Sequence, residues 1–385
     1  MSKKLIKMHN PDIGVTEKKY LSETLNSGLL AGNQKNTKIC EHLINNIIDS
    51  KSTFLTSSCT HALEISAIAL NLKPGDEVIV PSYSFVSTAL AFHMHGAKLR
   101  FCDVSHTDLN ININEIEKLI NNKTKAIVVL HYGGAACDIE RIIDIATKYK
   151  LKVIEDNAHG LGGKSKQKSL GSFGSTSCLS FHETKNLTCG EGGAICINDE
   201  DLIETIQHIR EKGTNRSSFF EGKIDKYEWI EKGSNFLPSE LQSSVLRGQL
   251  ERFDEIQEKR EKIWNLYFDE FKHFNRNTNI SFSNKNKELE LTHHTFYLLF
   301  KSKDSAKSLL AFLRKENIMA TSHYRPLHLS PFIKKSYSSE SIDNCPVAEE
   351  IADCIVRLPL SSKMTFNDGQ IVVSKVTDYL NRTLL

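Results

Sequence analysis

The sequence predicts an α/β fold, with a mostly parallel central sheet in a large domain and a smaller α+β domain at the C-terminal end. Two patterns carry this. From Thr53 to Asp199, short runs rich in Val and Ile alternate with segments of helical period, as βαβ units with strands buried on both faces require. Further on comes a β-type run, TFYLLFKSK (295–303), then helical SAKSLLAFLRKEN (305–317). At 385 residues the chain is also too long for one compact core. The expected division is a large domain over 1–250, N-terminal helix included, and a small one over 251–385.

The elements follow in order. Residues 15–27 read as an amphipathic helix that Ser27-Gly28 ends. The strand runs are TFLT (53–56), VIV (78–80), LRFCDV (99–104), AIVVLHY (126–132), KVIEDNA (152–158), CLSFH (178–182) and GAICIN (193–198). Helix-period segments such as THALEISAIALNL and DIERIIDIATKYK lie between most of them. The last two runs have no helix between them, only the loop ETKNLTCGEG. Residues 239–272 read as one long helix or a helix pair, and Lys334–Asn344, rich in Ser and Lys, as a surface loop.

Composition excludes several classes. Charged residues make up 25% and the formal net charge is +2, with no long basic run, which argues against a nucleic-acid binder. The first residues, MSKKLIKMHNPDIGV, lack the apolar run of a signal peptide, and no stretch approaches the ~18 apolar residues of a membrane span. The nine cysteines form no C-x-x-C pair. Without a secretion signal they read as reduced thiols of a cytoplasmic protein, not as disulfides or a metal site.

Ligands of open α/β sheets sit beyond the carboxyl ends of the strands, so the residues following each run deserve a reading. After TFLT, Ser57-Ser58-Cys59-Thr60 precede an apolar helix. They read first as an N-cap, and also as an anion cradle of free N–H groups. Asp156 ends a buried strand, either capping a turn or meeting a cationic partner. Lys185 lies past another strand before a Gly-rich turn. An arbitrary lysine there is a surface residue, whereas one in a desolvated pocket suits Schiff-base formation. His131 and Tyr132 end a strand and face either a ligand or the core. Taken together, an anion cradle, an acid and a lysine are the three contacts that pyridoxal phosphate (PLP) needs, for phosphate, ring nitrogen and aldehyde.

PGDEVIVPSYSFVSTALA (74–91), VIEDNAHG (153–160), SFHETKNLTCGEGGAI (180–195), HYRPLHLSP (323–331) and RLPLSS (357–362) resemble the DegT-type nucleotide-sugar aminotransferases, which are fold-type-I PLP enzymes. Within them, LTSSCTHALE (55–64), REKGTNRSSFFEGKIDKYEW (210–229) and GSNFLPSELQ (233–242) are most similar to the dTDP-4-amino-4,6-dideoxygalactose transaminases of the enterobacterial-common-antigen type. The resemblance implies a role in cell-surface polysaccharide synthesis. It implies Lys185 as the Schiff-base lysine and proton carrier, Asp156 at the pyridine nitrogen, Phe85 stacked on the ring and His159 near the ring hydroxyl. Ser180 with Cys59 and Thr60 would hold the phosphate. Phe85 by itself reads as core. His323, Tyr324 and His328 are implied at the sugar site. Leu29–Asn33 and the segment carrying Asn215, Arg216 and Trp229 are candidates for sugar-nucleotide contact. Many relatives place an Asn of the neighbouring subunit near the phosphate. Its counterpart here is Leu237, with Asn235 or Ser239 as substitutes.

The implied reaction takes an amino group from L-glutamate to the C4 ketone of dTDP-4-keto-6-deoxy-D-glucose, with PLP as cofactor, no metal, and a homodimer sharing its active sites. The implied products are dTDP-4-amino-4,6-dideoxy-D-galactose and 2-oxoglutarate. The alternatives are the gluco epimer, dTDP-viosamine, or a UDP-linked 4-keto sugar as substrate. A sugar dehydratase on the same fold would carry histidine in place of Lys185. A non-catalytic regulator would have little use for Lys185 and Asp156 together.

Overall fold

Strands form where the Val- and Ile-rich runs stand in the computed structural model, which describes residues 4–383 apart from 277–279, 284 and 286–287, with side chains left out at 275–276. They are β1 (Ser52–Thr56), β2 (Glu77–Pro81), β3 (Lys98–Cys102), β4 (Thr124–Leu130), β5 (Lys152–Asp156), the short pair β6 (Lys164–Ser165) and β7 (Lys168–Ser169), then β8 (Thr176–Ser180) and β9 (Gly193–Ile197). The central sheet has the order β1-β9-β8-β5-β4-β2-β3. Every neighbouring pair is parallel except the two that β9 makes. With no crossover helix after β8, the chain returns beside it in the opposite sense.

The sheet is covered on both sides. Along β4, Ala126, Val128 and Leu130 join a core with Leu63 of α3 (Cys59–Ala69) and Phe92 of α4 (Ser87–Met94). The alternate residues Ile127 and Val129 face Ile116 of α5 (Ile113–Leu119) and Ile142 of α6 (Ile139–Tyr149). Helix α1 (Val15–Ser27) ends at Gly28, whose φ of 69° is the left-handed cap that Gly accepts without strain, and α2 (Lys35–Ile48) follows it. Further along the chain stand α7 (Ile203–Arg210), α8 (Arg216–Phe220), β11 (Leu289–Glu290), which pairs with β6, and α13 (Pro346–Cys354).

The stretch 239–272 is a helix pair, α9 (Glu240–Glu251) and α10 (Phe253–Phe271). Arg252 breaks it with φ −104° and ψ 17° while bonding Glu17 and Glu255. A second antiparallel sheet has the order β10 (Ile280–Phe282), β12 (Phe296–Phe300), β13 (Ile355–Leu358). Helices α10, α11 (Lys303–Lys315) and α14 (Phe366–Thr383) close a core over it around Trp264, Phe296, Leu309 and Val376. Ile6 also belongs to this second core, and its N–H donates to Asn317 O at 2.9 Å.

One expected loop is anchored. Lys334–Asn344 begins inside a short helix, α12 (Pro331–Ser336), and its Asp343 accepts from Arg100 Nη2 at 2.9 Å and Phe101 N at 2.9 Å. Arg100 sits on β3, far away in sequence, so the anchor has no local signature. Among the described residues no helix is long and apolar enough to cross a membrane.

Candidate active site

β1, β5 and β8 end at Thr56, Asp156 and Ser180 on one edge of the sheet, where a cavity of about 600 Å³ opens. Ser58, Cys59 and Thr60 form one wall. Ser58 Oγ accepts from His61 N at 3.1 Å, so the N-cap reading holds, and the same turn lines the cavity. The first N–H groups of α3 have no intrahelical acceptor, and the helix dipole makes this end positive. Thr60 Oγ1 lies 2.8 Å from Ser87 Oγ at the start of α4. The close approach depends on Gly193: a Cβ there would stand 2.3 Å from Ser58 C and 2.5 Å from Cys59 N.

The alternation of β5 separates two acids. Glu155 points into the core, where it accepts from Gly171, Phe173 and Gly174 N–H at 2.7 to 2.9 Å and meets His131 Nε2 at 3.0 Å. His131 is therefore a satisfied core residue. Asp156 points into the cavity, accepting from Thr88 Oγ1 at 2.6 Å and Ala158 N at 3.2 Å. Burial raises its carboxyl above the usual range, against the pull of Thr88 and Lys185.

Lys185 follows β8 on a turn closed by its own N–H to His182 O at 2.9 Å, and its side chain lines the same cavity. Burial lowers its pKa, opposed by Cys59 and Asp156 and reinforced by Arg357. Loss of solvation thus favours the neutral amine, the form that attacks an aldehyde. Ser180, the last residue of β8, lines the same cavity.

The remaining expected residues divide. Phe85 is 57% exposed at the cavity, so it is free to stack and is not core. His159 is buried and lies against His294, centroids 4.2 Å apart at 20°, and burial first, then Lys185, depresses its pKa. His323 and Tyr324 line the cavity as a stacked pair 4.0 Å apart. Tyr132 packs behind them, against Tyr83 and Tyr324. His328 is not at the cavity: it is buried between Ser82 Oγ at 2.6 Å and Glu349 Oε1 at 3.2 Å, which consume both ring nitrogens. Asn215, Arg216 and Trp229 do not line the cavity of their own chain either. They lie on an arm over 213–232, where Trp229 is 81% exposed. Glu211 Oε1 accepts from both Asn33 and Ser217, which joins the arm to the Leu29–Asn33 loop.

Sequence reasoning missed His9, Ser87, Thr184, His294 and Arg357 on the cavity wall, and Thr88 behind Asp156. Only Arg357 had a local signal, a cation interrupting the apolar run IVRLPL.

The acid that faces the cavity, the lysine beside it and the anion cradle fit the ring nitrogen, aldehyde and phosphate of PLP, and the sheet that carries them is that of a fold-type-I PLP aminotransferase. The chain belongs to the DegT/DnrJ/EryC1/StrS aminotransferase family, whose model matches residues 11–377, and its cofactor is pyridoxal phosphate. It is 35% identical over 372 residues to protein MJ1066 of Methanocaldococcus jannaschii, covering 95% of each chain. It is 29% identical to a UDP-4-amino-4-deoxy-L-arabinose–oxoglutarate aminotransferase of Shewanella sediminis, covering 98% of this chain and 99% of the other. Helicobacter pylori PseC, an aminotransferase involved in pseudoaminic acid biosynthesis, superposes with a TM-score of 0.89 at 27% identity, over 98% of this chain and 100% of that one.

Proposed function

We propose that this sugar aminotransferase moves an amino group from L-glutamate to C4 of dTDP-4-keto-6-deoxy-D-glucose, giving dTDP-4-amino-4,6-dideoxy-D-galactose and 2-oxoglutarate. The observation that carries the chemistry is the meeting of Lys185, Asp156 and the α3 turn in one cavity. Bound there, PLP supplies an electron sink next to the carbon that exchanges its amine. Ser58, Cys59, Thr60 and Ser180 would hold the phosphate, Phe85 would cover one ring face, and His159 would lie by the ring hydroxyl. Asp156 would keep a proton on the ring nitrogen, and its burial strengthens that charge pairing. Lys185 Nζ would take the proton from the donor and deliver one to the sugar carbon, a task suited to an amine whose pKa burial brings down. The dTDP nucleotide and galacto configuration rest on the resemblance of residues 55–64, 210–229 and 233–242.

The same reading includes a homodimer. Phe220, Tyr227, Trp229 and Ile230 are exposed on the arm, an apolar set that supports burial against a second copy. Asn215, Arg216 and Trp229 would then serve the partner's cavity.

A UDP-linked 4-keto sugar is the second substrate reading, favoured by the Shewanella relative that is named for a UDP sugar. Turnover with glutamate and a panel of dTDP- and UDP-4-keto sugars, with product NMR, tests both. The expected result is a dTDP product with a small H3–H4 coupling. A large coupling overturns the galacto assignment, and turnover of UDP sugars alone overturns the nucleotide.

A further inference from the structure

Two histidines from different parts of the fold meet in the cavity. His294 stands just before β12 of the second sheet, and His159 follows β5 of the first; both rings line the cavity. The segments that carry them are fastened together. Thr292 Oγ1 donates to His159 O at 2.6 Å, and Thr292 N donates to Gly134 O at 3.2 Å. The approach is close: a Cβ on Gly134 would stand 1.8 Å from Thr292 Oγ1. Arg260 Nη2 donates to His294 O at 2.7 Å.

Hydrogen bonds fix which nitrogen of each ring carries the proton. Gly133 N–H points at His159 Nδ1 at 3.3 Å, and a backbone N–H can only donate. Nδ1 is therefore bare, and the proton of the neutral ring is on Nε2. His294 is the reverse. Asn186 Nδ2 donates to Gln257 Oε1 at 2.9 Å and to Thr292 O at 2.7 Å, which turns Asn186 Oδ1 toward His294 Nδ1 at 2.8 Å. An amide oxygen can only accept, so His294 carries its proton on Nδ1 and leaves Nε2 bare. Among the described residues neither Nε2 has a protein partner. Burial is the main reason that both rings stay neutral; His159 also disfavours a proton on His294, and the charged groups that bear on them, Lys185, Arg260 and Arg357, are all cations.

A single bond of 3.3 Å does not hold an imidazole, whose torsion about Cβ–Cγ is soft and two-fold. A half turn would break the Gly133 bond and present a C–H where Nε2–H stood. The stack prevents it, because that turn sweeps the ring edge through the plane of His294, whose centroid is 4.2 Å away at an interplanar angle of 20°. Tyr132 meets His159 only edge-on, at 6.2 Å. We propose that His294 is a positioning residue: its stacked ring locks His159 in the orientation and tautomer that offer Nε2–H to the ring oxygen of the cofactor. This rests on the reading above that puts His159 by that oxygen.

Nitrogen NMR of the histidine rings tests the lock without cofactor, with signals assigned from His159→Gln and His294→Phe. In wild type His159 is expected as the Nε2–H tautomer and His294 as Nδ1–H. In His294→Ala the His159 signals should average over both tautomers. In His294→Phe, which keeps a ring in the stack, they should stay as in wild type. Holoenzyme gives a second readout, the pH at which the absorbance of the Lys185–cofactor imine changes. A donor to the ring oxygen stabilises the charge left there when the imine loses its proton, so it lowers this midpoint. His159→Ala is expected to raise the midpoint by about 1. His294→Ala should move it in the same direction, and His294→Phe should bring it back. His159 found as Nδ1–H overturns the proposal. So do His159 signals that His294→Ala leaves unchanged, or a midpoint that His159→Ala moves and His294→Ala does not. A His294→Phe chain that behaves like His294→Ala overturns it too, because a nitrogen of His294 and not its stacked ring would then matter. A midpoint that ignores His159→Ala removes His159 from the ring oxygen and sinks that reading alone; the cofactor-free spectra still judge His294.

Discussion

Asp156 faces opposing demands. Its carboxyl is raised by burial, so in the cofactor-free chain the folded state holds a proton more tightly than the unfolded one does. Between the unfolded value, ~3.9, and the folded one, stability therefore falls as pH rises, and above the folded value the full cost persists. Asparagine removes that cost and can still bond Thr88 and Ala158. Cofactor-free Asp156→Asn is thus expected to melt above wild type at pH 7, with the gap closing as pH falls toward ~4. With cofactor the order reverses. The carboxylate that would face the pyridinium is gone, and PLP affinity should fall by about 10- to 100-fold. Thermal melts across pH, with and without PLP, check both halves. A variant that melts no higher without cofactor would show that Asp156 carries no desolvation strain.

At the scale of elements, the phosphate site depends on how closely β9 passes the turn before α3. Gly193 is paired with Thr56 on one side and Ser180 on the other, so the strand has no room to retreat. A methyl group there must displace Ser58 and Cys59. Gly193→Ala is expected to cost about 1–3 kcal/mol of stability and to weaken PLP binding at least about tenfold. Denaturation and an absorbance titration with PLP measure the two effects. Wild-type affinity in this variant would remove the α3 turn from the cofactor site. Much at this scale was legible beforehand. Asp156 and Lys185 were legible because each charge follows an apolar strand run and the two belong with the cradle before α3, and the missing helix after CLSFH marked the place where the structure reverses the strand. A helix pair was one of the two readings of 239–272, but the place of the break between α9 and α10 was not legible. Arg252 is an ordinary helix former, and the residue that draws it from the helix axis is Glu17, 235 positions away. For the same reason His328 was misplaced: its partner Ser82 lies 246 positions from it.

For the whole molecule, the cavity is built from segments that only the complete fold assembles. His9 comes from the N-terminal end, His294 and Arg357 from beside the second sheet, and no spacing rule joins them to Lys185. The arm over 213–232 extends the same logic beyond one chain. Its base is pinched at Gly213, where φ is +72° and a Cβ would stand 1.8 Å from Glu231 O, while its aromatic tip is exposed. If arms complete their partners' cavities in the proposed dimer, two separate defects must complement. Lys185→Ala lacks the amine, and an Arg216→Ala/Trp229→Ala chain lacks the arm contacts, so each alone should be nearly inactive. In a hybrid dimer one cavity carries both defects and the other carries neither. Co-expression in equal amounts should therefore restore about a quarter of wild-type specific activity, since half the dimers are hybrid with one sound site each. Tagging the two chains differently and assaying the doubly purified species isolates that hybrid. An inactive hybrid would mean that each arm serves its own chain.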